Sequence, residues 1–328
     1  GELRMKKTIL VILVALLAFQ VMANGSSEGS STTPKRLTFA TGSSGGNFYV
    51  VGAGLANTIT NLFPNQYIVT AEETGGGSAN LVLIENGEAD FGIAMASSIE
   101  QGLSGSLTNG KPMENIRGFL PLYPSYLTIY ALESGAIKTL EDFNGRTVGY
   151  GSKGAAMDKI FREALPNMGI NPANIFNDGH GATATAVSQG NIEAALLFSL
   201  PPFPAIAELE ASTPLHFIGL TQEQQNFLVS NYTFYTPAKM PAGAYKGVTE
   251  EYDTVTEWNF AVCSAALSTE DVYNMTKSLF ANNPMLVQVY GGLVDAIPEN
   301  EVYFNVKLHD GVIKYLDEIG VAVPAALR

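Results

Sequence analysis

The chain has 328 residues, of which 46% are hydrophobic, and its 18 Lys and Arg against 31 Asp and Glu give a formal net charge of −13. This length and composition suffice for two lobes with buried cores. The acidic balance, without a basic stripe, excludes nucleic acid as a partner. The single cysteine, Cys263, excludes an intrachain disulfide and a thiolate metal cluster.

The first stretch has the features of a secretory signal peptide. Residues 5–7 (MKK) form a positive n-region, residues 8–19 are almost wholly apolar, and residues 21–23 (VMA) resemble a cleavage site. The apolar run is short for a membrane span, which needs about 20 residues. We therefore expect a signal peptide over 1–23, cleavage near Ala23, a flexible leader over 24–34 and a periplasmic location. An uncleaved anchor or a sensor ectodomain is the alternative.

After the leader, one local pattern recurs. A short apolar run ends in glycine and small polar residues, and helical periodicity follows, as in residues 37–46 (LTFATGSSGG) before the apolar stripe of Val51, Leu55, Ile59 and Leu62. Three further units show the same pattern: residues 67–78 with Ser78 as the expected helix N-cap, residues 146–154 (RTVGYGSKG), and residues 175–181. Strand alternating with helix predicts an α/β fold with mainly parallel sheets flanked by helices.

Two extended apolar stretches predict the connection between the lobes. They span residues 120–132 and 255–267. If both strands cross between lobes and form a hinge, lobe 1 comprises residues 35–133 plus 241–328, and lobe 2 comprises residues 134–240. Near the C-terminus, residues 268–271 (STED) resemble a capping box, and Gly320 follows the last apolar stripe, as expected at a helix end.

Two motifs match enzyme signatures only formally. Residues 42–46 fit the G-x-S-x-G nucleophile elbow with Ser44 as the nucleophile, but they follow the first strand instead of several, and no His has a recognisable catalytic context. Residues 149–154 fit G-x-G-x-x-G, which alone is a weak signal. The three His are far apart in sequence, so we expect no metal site, no cofactor and no enzyme. A secreted serine hydrolase using Ser44 remains the alternative.

The glycine turns taken together predict a binding cleft. A helix N-terminus presents about four backbone N–H groups without intrahelical partners and the positive end of the helix dipole. Glycine lets the backbone approach a ligand closely. Several such turns facing one cleft would hold a small anionic or zwitterionic solute without many charged side chains.

The chain resembles the TAXI-type solute receptors of tripartite ATP-independent periplasmic (TRAP) transporters. The similarity runs from about Leu37 to Gly320 and is carried, in family order, by TGSSGGNFYVVGAGLA, TGGGSANLVLIENGEADFGIA, LEDFNGRTVGYGSKG, QGNIEAALLFSLPPFPAI, MPAGAYKG and LHDGVIKYLDEIG. It implies a two-lobe periplasmic binding fold, type II-like, that closes on its ligand. It also implies a monomer that delivers a small carboxylate or amino acid, such as glutamate or glutamine, to a TRAP permease. An ABC importer is the alternative partner.

The resemblance also implies which residues bind the ligand. These are Thr41, Ser43, Ser44, Asn47 and Tyr49 in the first loop, Thr74, Ser78 and Asn80 in the second, Gly151, Ser152 and Gly154 in the third, and Phe198 in the fourth. Beside them we expect Lys153 in the third loop, and Tyr123 as an aromatic wall, to contact the ligand. Where the family often reads Gly-Ser-Gly-Thr, this chain has SKGA at residues 152–155, so a cation appears at Lys153 and a hydroxyl is lost at Ala155. At Ser125 an acid is common in the family. These departures favour a carboxylate without an amine.

Overall fold

The structure, a computed structural model, describes residues 33–44 and 46–328. The predicted signal peptide and all but the last two residues of the predicted leader lie outside the described residues. The strands are β1 (Lys35–Ala40), β2 (Tyr67–Glu72), β3 (Phe91–Met95), β4 (Ile116–Leu132), β5 (Thr147–Gly149), β6 (Asn174–Phe176), β7 (Ala194–Ser199), β8 (Leu215–Phe217), β9 (Tyr235–Met240) and β10 (Tyr252–Ser264).

The helices alternate with these strands through most of the chain. They are α1 (Asn47–Leu62), α2 (Gly77–Glu85), α3 (Ala96–Leu103), α4 (Ala156–Asn167), α5 (His180–Ser188), α6 (Pro204–Ser212), α7 (Gln222–Asn231), α8 (Thr269–Ala281), α9 (Asn283–Val289) and α10 (Asp310–Ile319), with short 3₁₀ turns between some of them. The four predicted strand–turn–helix units are present as β1–α1, β2–α2, β5–α4 and β6–α5.

Two helix ends lie where the sequence predicts them, and one predicted helix start is wrong. The Ser268 hydroxyl accepts the Asp271 amide at 3.1 Å and begins α8. Gly320 ends α10 in the left-handed conformation, with φ of 76°. Ser78 is not an N-cap, because α2 begins one residue earlier and its N-cap is Gly76, whose φ of 93° favours glycine.

The strands form one sheet in the order β2-β1-β3-β10-β4-β7-β5-β6, with β8 beside β4 and β9 beside β10. The parallel pairs lie towards the two ends of this order, and the antiparallel pairs of the described strands each include β4 or β10. This arrangement, with helices packed on the sheet, confirms the α/β fold. The sheet is mixed and not mainly parallel as predicted, because β4 and β10 pair antiparallel with each of their described neighbours.

β4 and β10 are the crossing strands. The C-terminal half of β10 pairs with β3, where Asn259 is opposite Met95, and its N-terminal half pairs with β9, where Glu257 is opposite Tyr235. β4 pairs with β10 over much of its length and with β7 and β8 near its C-terminal end. Both strands begin three to four residues before the predicted stretches at 120–132 and 255–267.

The buried apolar side chains form three clusters. The largest draws on residues between 37 and 123 and between 258 and 327, and the other two draw on residues between 127 and 255. In the largest cluster α1 buries Val51, Leu55 and Ile59. The absence of a side chain at Gly52 lets α1 approach the first loop, since a Cβ there would lie 2.4 Å from Cγ2 of Thr41. The exact lobe boundaries stay a prediction.

Candidate functional site

A cavity of about 440 Å³ opens where the first, second and third glycine turns face the crossing strands. Six of the predicted ligand-binding residues line it: Ser43, Asn47, Thr74, Tyr123, Ser152 and Phe198. The structure adds residues that the sequence analysis did not propose: Gly42, Gly46, Phe48, Gly75, Gly76, Met95, Ser125, His180, Ser199, Phe203 and Asn259. The glycine turns therefore converge on one space, as the binding-cleft interpretation requires.

The wall formed by β1 and β2 is held in place by Asn80. This side chain is fully buried, and its amide nitrogen donates to the Thr41 carbonyl at 2.6 Å and to the Ile93 carbonyl at 2.8 Å. The Thr74 hydroxyl donates to the Asn80 side-chain oxygen at 2.5 Å and accepts the Gly76 amide at 3.0 Å. Thr41 and Asn80, both predicted to bind ligand, are thus buried behind the wall and position the first two loops.

The other predicted residues do not line the cavity. Ser44 is exposed, and its amide donates to the Glu73 carboxylate at 2.9 Å. Lys153 is exposed, and the Gly154 amide donates to Asp158 at 2.9 Å. Tyr49 and Gly151 directly adjoin lining residues in the sequence, and Ser78 lies two residues from Gly76. Among the described residues, the Ser44 hydroxyl has no hydrogen bond to a histidine, so the hydrolase alternative lacks its catalytic dyad.

His180 lies at the first position of α5, on the wall contributed by residues 134–240. Its ring meets Phe203 edge-on, with 5.7 Å between ring centroids. Gly151 adopts φ of 73°, and a Cβ there would lie 2.9 Å from Cε1 of His180. Burial lowers the pKa of His180, so the imidazole is neutral at pH 7 and can donate one hydrogen bond and accept another.

The floor of the cavity consists of polar side chains from the crossing strands. The buried Asn259 amide donates to the Tyr123 carbonyl at 3.0 Å and to the Ser125 hydroxyl at 2.8 Å. Phe198 stacks on Tyr235, with 5.0 Å between ring centroids. One sequence feature could have identified the floor of the cavity. It is a polar residue inside an otherwise apolar strand, such as Ser125 in LYPSYL and Asn259 in EWNFAV.

The electrostatic character of the cavity comes from helix N-termini. α1, α2, α3, α5 and α6 begin at the cavity, and their N-cap residues supply no side-chain cap. Of the helices that begin elsewhere, α7, α8 and α10 have side-chain caps from Thr221, Ser268 and His309, whereas α4 and α9 have none. Of the described residues that line the cavity, none is Asp, Glu, Lys or Arg. The helix starts therefore place backbone amides and positive dipole ends at the cavity, although the Ser97 amide of α3 is already bonded to Glu257.

Two further features of the described part of the chain concern metal binding and membrane insertion. No group of three or more His, Cys, Asp or Glu side chains there is arranged to hold a metal ion. None of the helices described is both long and apolar enough to span a bilayer.

Comparison with known proteins gives the family and the fold. The model of the NMT1-like family matches residues 39–320. A structure from a study of glutathione import through GshT and the cystine ABC importer TcyBC of Streptococcus mutans aligns at 12% identity and a TM-score of 0.51, covering 81% of this chain and 97% of that one. A structure described as a periplasmic transporter aligns at 12% identity and 0.50, covering 80% and 87%. The aliphatic sulphonate binding protein SsuA from Escherichia coli aligns at 15% identity and 0.44, covering 87% and 84%.

These comparisons correct the family inferred from the sequence. The resemblance to TAXI-type receptors of TRAP transporters is wrong, because the matching model is that of the NMT1-like family and the importer named for a structural neighbour is an ABC importer. The quoted segments are glycine turns and helix starts, which other receptors with this fold also need at the carboxyl ends of their strands.

Proposed function

The chain belongs to the NMT1-like family, and from this membership and the geometry of the cleft we propose that it is an extracytoplasmic solute receptor for an ABC importer. It binds a small carboxylate or amino acid between its two lobes, residues 35–133 plus 241–328 and residues 134–240, and presents it to the membrane permease. The observation that carries the proposal is the 440 Å³ cavity, lined by helix N-termini from both sides of the crossing strands.

The geometry explains how such a receptor would hold its solute. The amides at the starts of α1 and α2 are available to the solute on one side, and Ser152 and His180 face it from the other. If the lobes close, water leaves the cleft and each hydrogen bond becomes stronger in the lower dielectric. Selectivity follows because a solute of the wrong shape would leave buried donors unpaired.

The same geometry favours a receptor over an enzyme. The polar groups of the floor hydrogen-bond to one another. Within the described residues, no hydrogen bond joins a serine hydroxyl of the cavity to a histidine or carboxylate that would activate it. The fold shared with the structure from the study of glutathione import and a cystine ABC importer in Streptococcus mutans supports a role in solute capture.

A thermal-shift screen of the purified chain tests this function. The panel should contain organic acids, sulfonates, amino acids and sugars. One solute class is expected to raise the melting temperature, because binding stabilises the folded state by about 2.7 kcal/mol at 100 times the dissociation constant. A panel without any stabilising solute would contradict the proposal.

Substituting Gly151 by alanine should weaken binding of the solute found in that screen by roughly tenfold, because the new Cβ pushes the His180 ring away from its position. Gly145→Ala is the matched control. Gly145 has the same φ of 73°, and a Cβ there meets nothing within 4 Å. Both variants should therefore lose similar stability, about 1 kcal/mol for a left-handed non-glycine residue, and calorimetric titration should show weaker binding only for Gly151→Ala. Equal affinities of the two variants for the solute would contradict the claim that His180 contacts it.

A further inference from the structure

We propose that His180 contacts the carboxylate of the bound solute and that its imidazole takes up a proton when the solute binds. The inference rests on the proposed function, in which the solute is a small carboxylate or amino acid. It adds the residue that recognises the acidic group and the pH dependence of binding. Three features carry it: the position of the ring in the cavity, its two free nitrogens, and the charges of the surrounding side chains.

The His180 ring is part of the cavity wall and is held there by packing. It lines the cavity on the side of residues 134–240, and the Phe203 ring meets it edge-on, with 5.7 Å between ring centroids. Gly151 approaches the ring so closely that a Cβ at that position would lie 2.9 Å from Cε1 of His180. The position of the imidazole is therefore fixed without the use of its nitrogens.

The ring nitrogens of His180 differ from those of the other two histidines. His216 contacts a backbone carbonyl with one nitrogen and lies next to a carboxylate with the other. Both nitrogens of His309 contact backbone groups. Within the described residues neither nitrogen of His180 has such a partner, and neither is a fully buried atom. Both are therefore free to bind a solute group.

His180 is the side chain on the described walls of the cavity that can gain a positive charge near neutral pH. No Asp, Glu, Lys or Arg lines the described walls, and burial raises the pKa of Tyr123 well above its ordinary value. In the empty cleft burial lowers the pKa of His180, which keeps the imidazole neutral at pH 7. A carboxylate that enters the cavity loses hydration, and a proton on His180 supplies the counter-charge that offsets this loss.

The other charged groups near the ring do not supply this counter-charge. On the neighbouring turns and helices they are Lys153, Asp158, Arg162, Asp178 and Glu208, and across the cleft Glu73, and none of them lines the cavity. Asp158 pairs with Arg162 at 2.8 Å. The carboxylates of Asp178 and Glu73 each accept a backbone amide. Lys153 and Glu208 are exposed. The charge of His180 therefore depends on what occupies the cleft.

The direction of the pH dependence follows from the proton transfer. The proton comes from the buffer and binds the ring nitrogen that carries none. The imidazolium then donates to one oxygen of the carboxylate, whose other oxygen can accept amides on the opposite wall. The bound carboxylate raises the pKa of His180 above its value in the empty cleft. Between these two values binding takes up a proton, so the affinity falls as the pH rises through this range.

Calorimetric titration in buffers of different ionisation enthalpy measures the proton uptake. The probes are 4-methyl-2-oxopentanoate, leucine, glutamate and the carboxylate that stabilises the chain most in the thermal screen. Those that bind should take up a proton near neutral pH. They should bind at least tenfold more tightly at pH 5.5 than at pH 8, because each unit of pKa shift corresponds to a tenfold change in affinity. Binding of these probes without proton uptake across this range would overturn the inference.

Replacing His180 by asparagine assigns the proton to this ring, because Glu257 also titrates near neutral pH, with a pKa of about 7. Asparagine keeps a polar side chain but takes up no proton, so His180→Asn should lose most of the proton uptake and of the pH dependence. His216→Asn is the matched control, because His216 lies outside the cavity, and it should leave both unchanged. Unaltered proton uptake in folded His180→Asn would refute the role of this residue.

A second measurement needs no variant in the cleft. The chain contains three histidines, so NMR can follow each ring through a pH titration, and His216→Asn identifies one of the signals. The pKa of the His180 ring should rise when 4-methyl-2-oxopentanoate or another binding probe is added. An unchanged or lowered pKa in the complex would contradict the inference even if His180→Asn does not fold.

The outcomes separate this inference from the proposed function. If no carboxylate or amino acid binds but a sugar from the thermal screen does, the inference is wrong and a receptor function stands. If no solute in the panel binds, the proposed function fails as well.

Discussion

Replacing Asn80 by alanine is expected to lower the free energy of unfolding by about 3 kcal/mol and to weaken solute binding at least tenfold. The side chain is fully buried and joins three segments, because it donates to the Thr41 and Ile93 carbonyls and accepts from the Thr74 hydroxyl. Its loss removes these hydrogen bonds and leaves a small void. The first two loops then lose their fixed positions at the cavity, so stability and affinity should fall together.

Urea unfolding and calorimetric titration measure the two effects of Asn80→Ala. Asn86→Ala is the matched control, because Asn86 lies just beyond the other end of α2, is exposed, and hydrogen-bonds through its side chain only to Glu88. Asn86→Ala should change the free energy of unfolding by no more than about 0.5 kcal/mol. Normal affinity in folded Asn80→Ala would show that the loops keep their positions without this side chain.

Replacing Glu257 by glutamine is expected to stabilise the protein at pH 8 and to leave it nearly unchanged near pH 4.5. Glu257 is 1% exposed, and burial raises its pKa from 4.5 to about 7. Between these two values the folded state holds more protons than the unfolded chain, so wild-type stability falls as the pH rises through this range. Each tenfold change in proton affinity corresponds to about 1.4 kcal/mol, so the variant should gain about 2–3 kcal/mol over wild type between pH 5 and pH 8.

The surroundings of Glu257 suit a neutral side chain. A glutamine carbonyl can still accept the Ser97 amide at the start of α3. Tyr235, whose buried hydroxyl has no hydrogen-bond partner within the described structure, is paired with Glu257 across the two strands. Denaturant unfolding at several pH values measures the effect, with Glu250→Gln at an exposed position as the control. If the free energy of unfolding changes with pH in the same way in wild type and Glu257→Gln, the raised pKa of Glu257 is contradicted.

Local features of the fold were predictable from the sequence, and long-range pairings were not. Glycine turns and apolar periodicity act over a few residues, which is why β1–α1, β2–α2, β5–α4 and β6–α5 were identified. The insertion of β10 between β3 and β4 joins residues more than a hundred positions apart, as in the pairing of Asn259 with Tyr123. The expectation that Ser78 is the N-cap of α2 was wrong, because the helix already begins at Gly77 and Gly76 is its N-cap.

The walls of the cavity were predicted better than its floor. Ser43, Asn47, Thr74 and Ser152 follow strands that end at the same edge, and this follows from the alternating pattern. Asn259 was missed, and Ser125 was noted only as a departure from the resembled family, because the crossing strands were interpreted mainly as connectors. His180 was noted in its glycine turn but not proposed to bind ligand, since its contact with Gly151 depends on how two separate turns pack.

The position of the bound solute tests the central claim most directly. A crystal structure of the chain with the most stabilising solute from the thermal screen should show it between Ser43 and Asn47 on one side and Ser152 and His180 on the other. Its anionic group should lie within hydrogen-bond distance of the amides that begin α1 or α2. Density for the solute only outside this cleft, for instance in the groove between Pro202 and Lys246, would contradict the account.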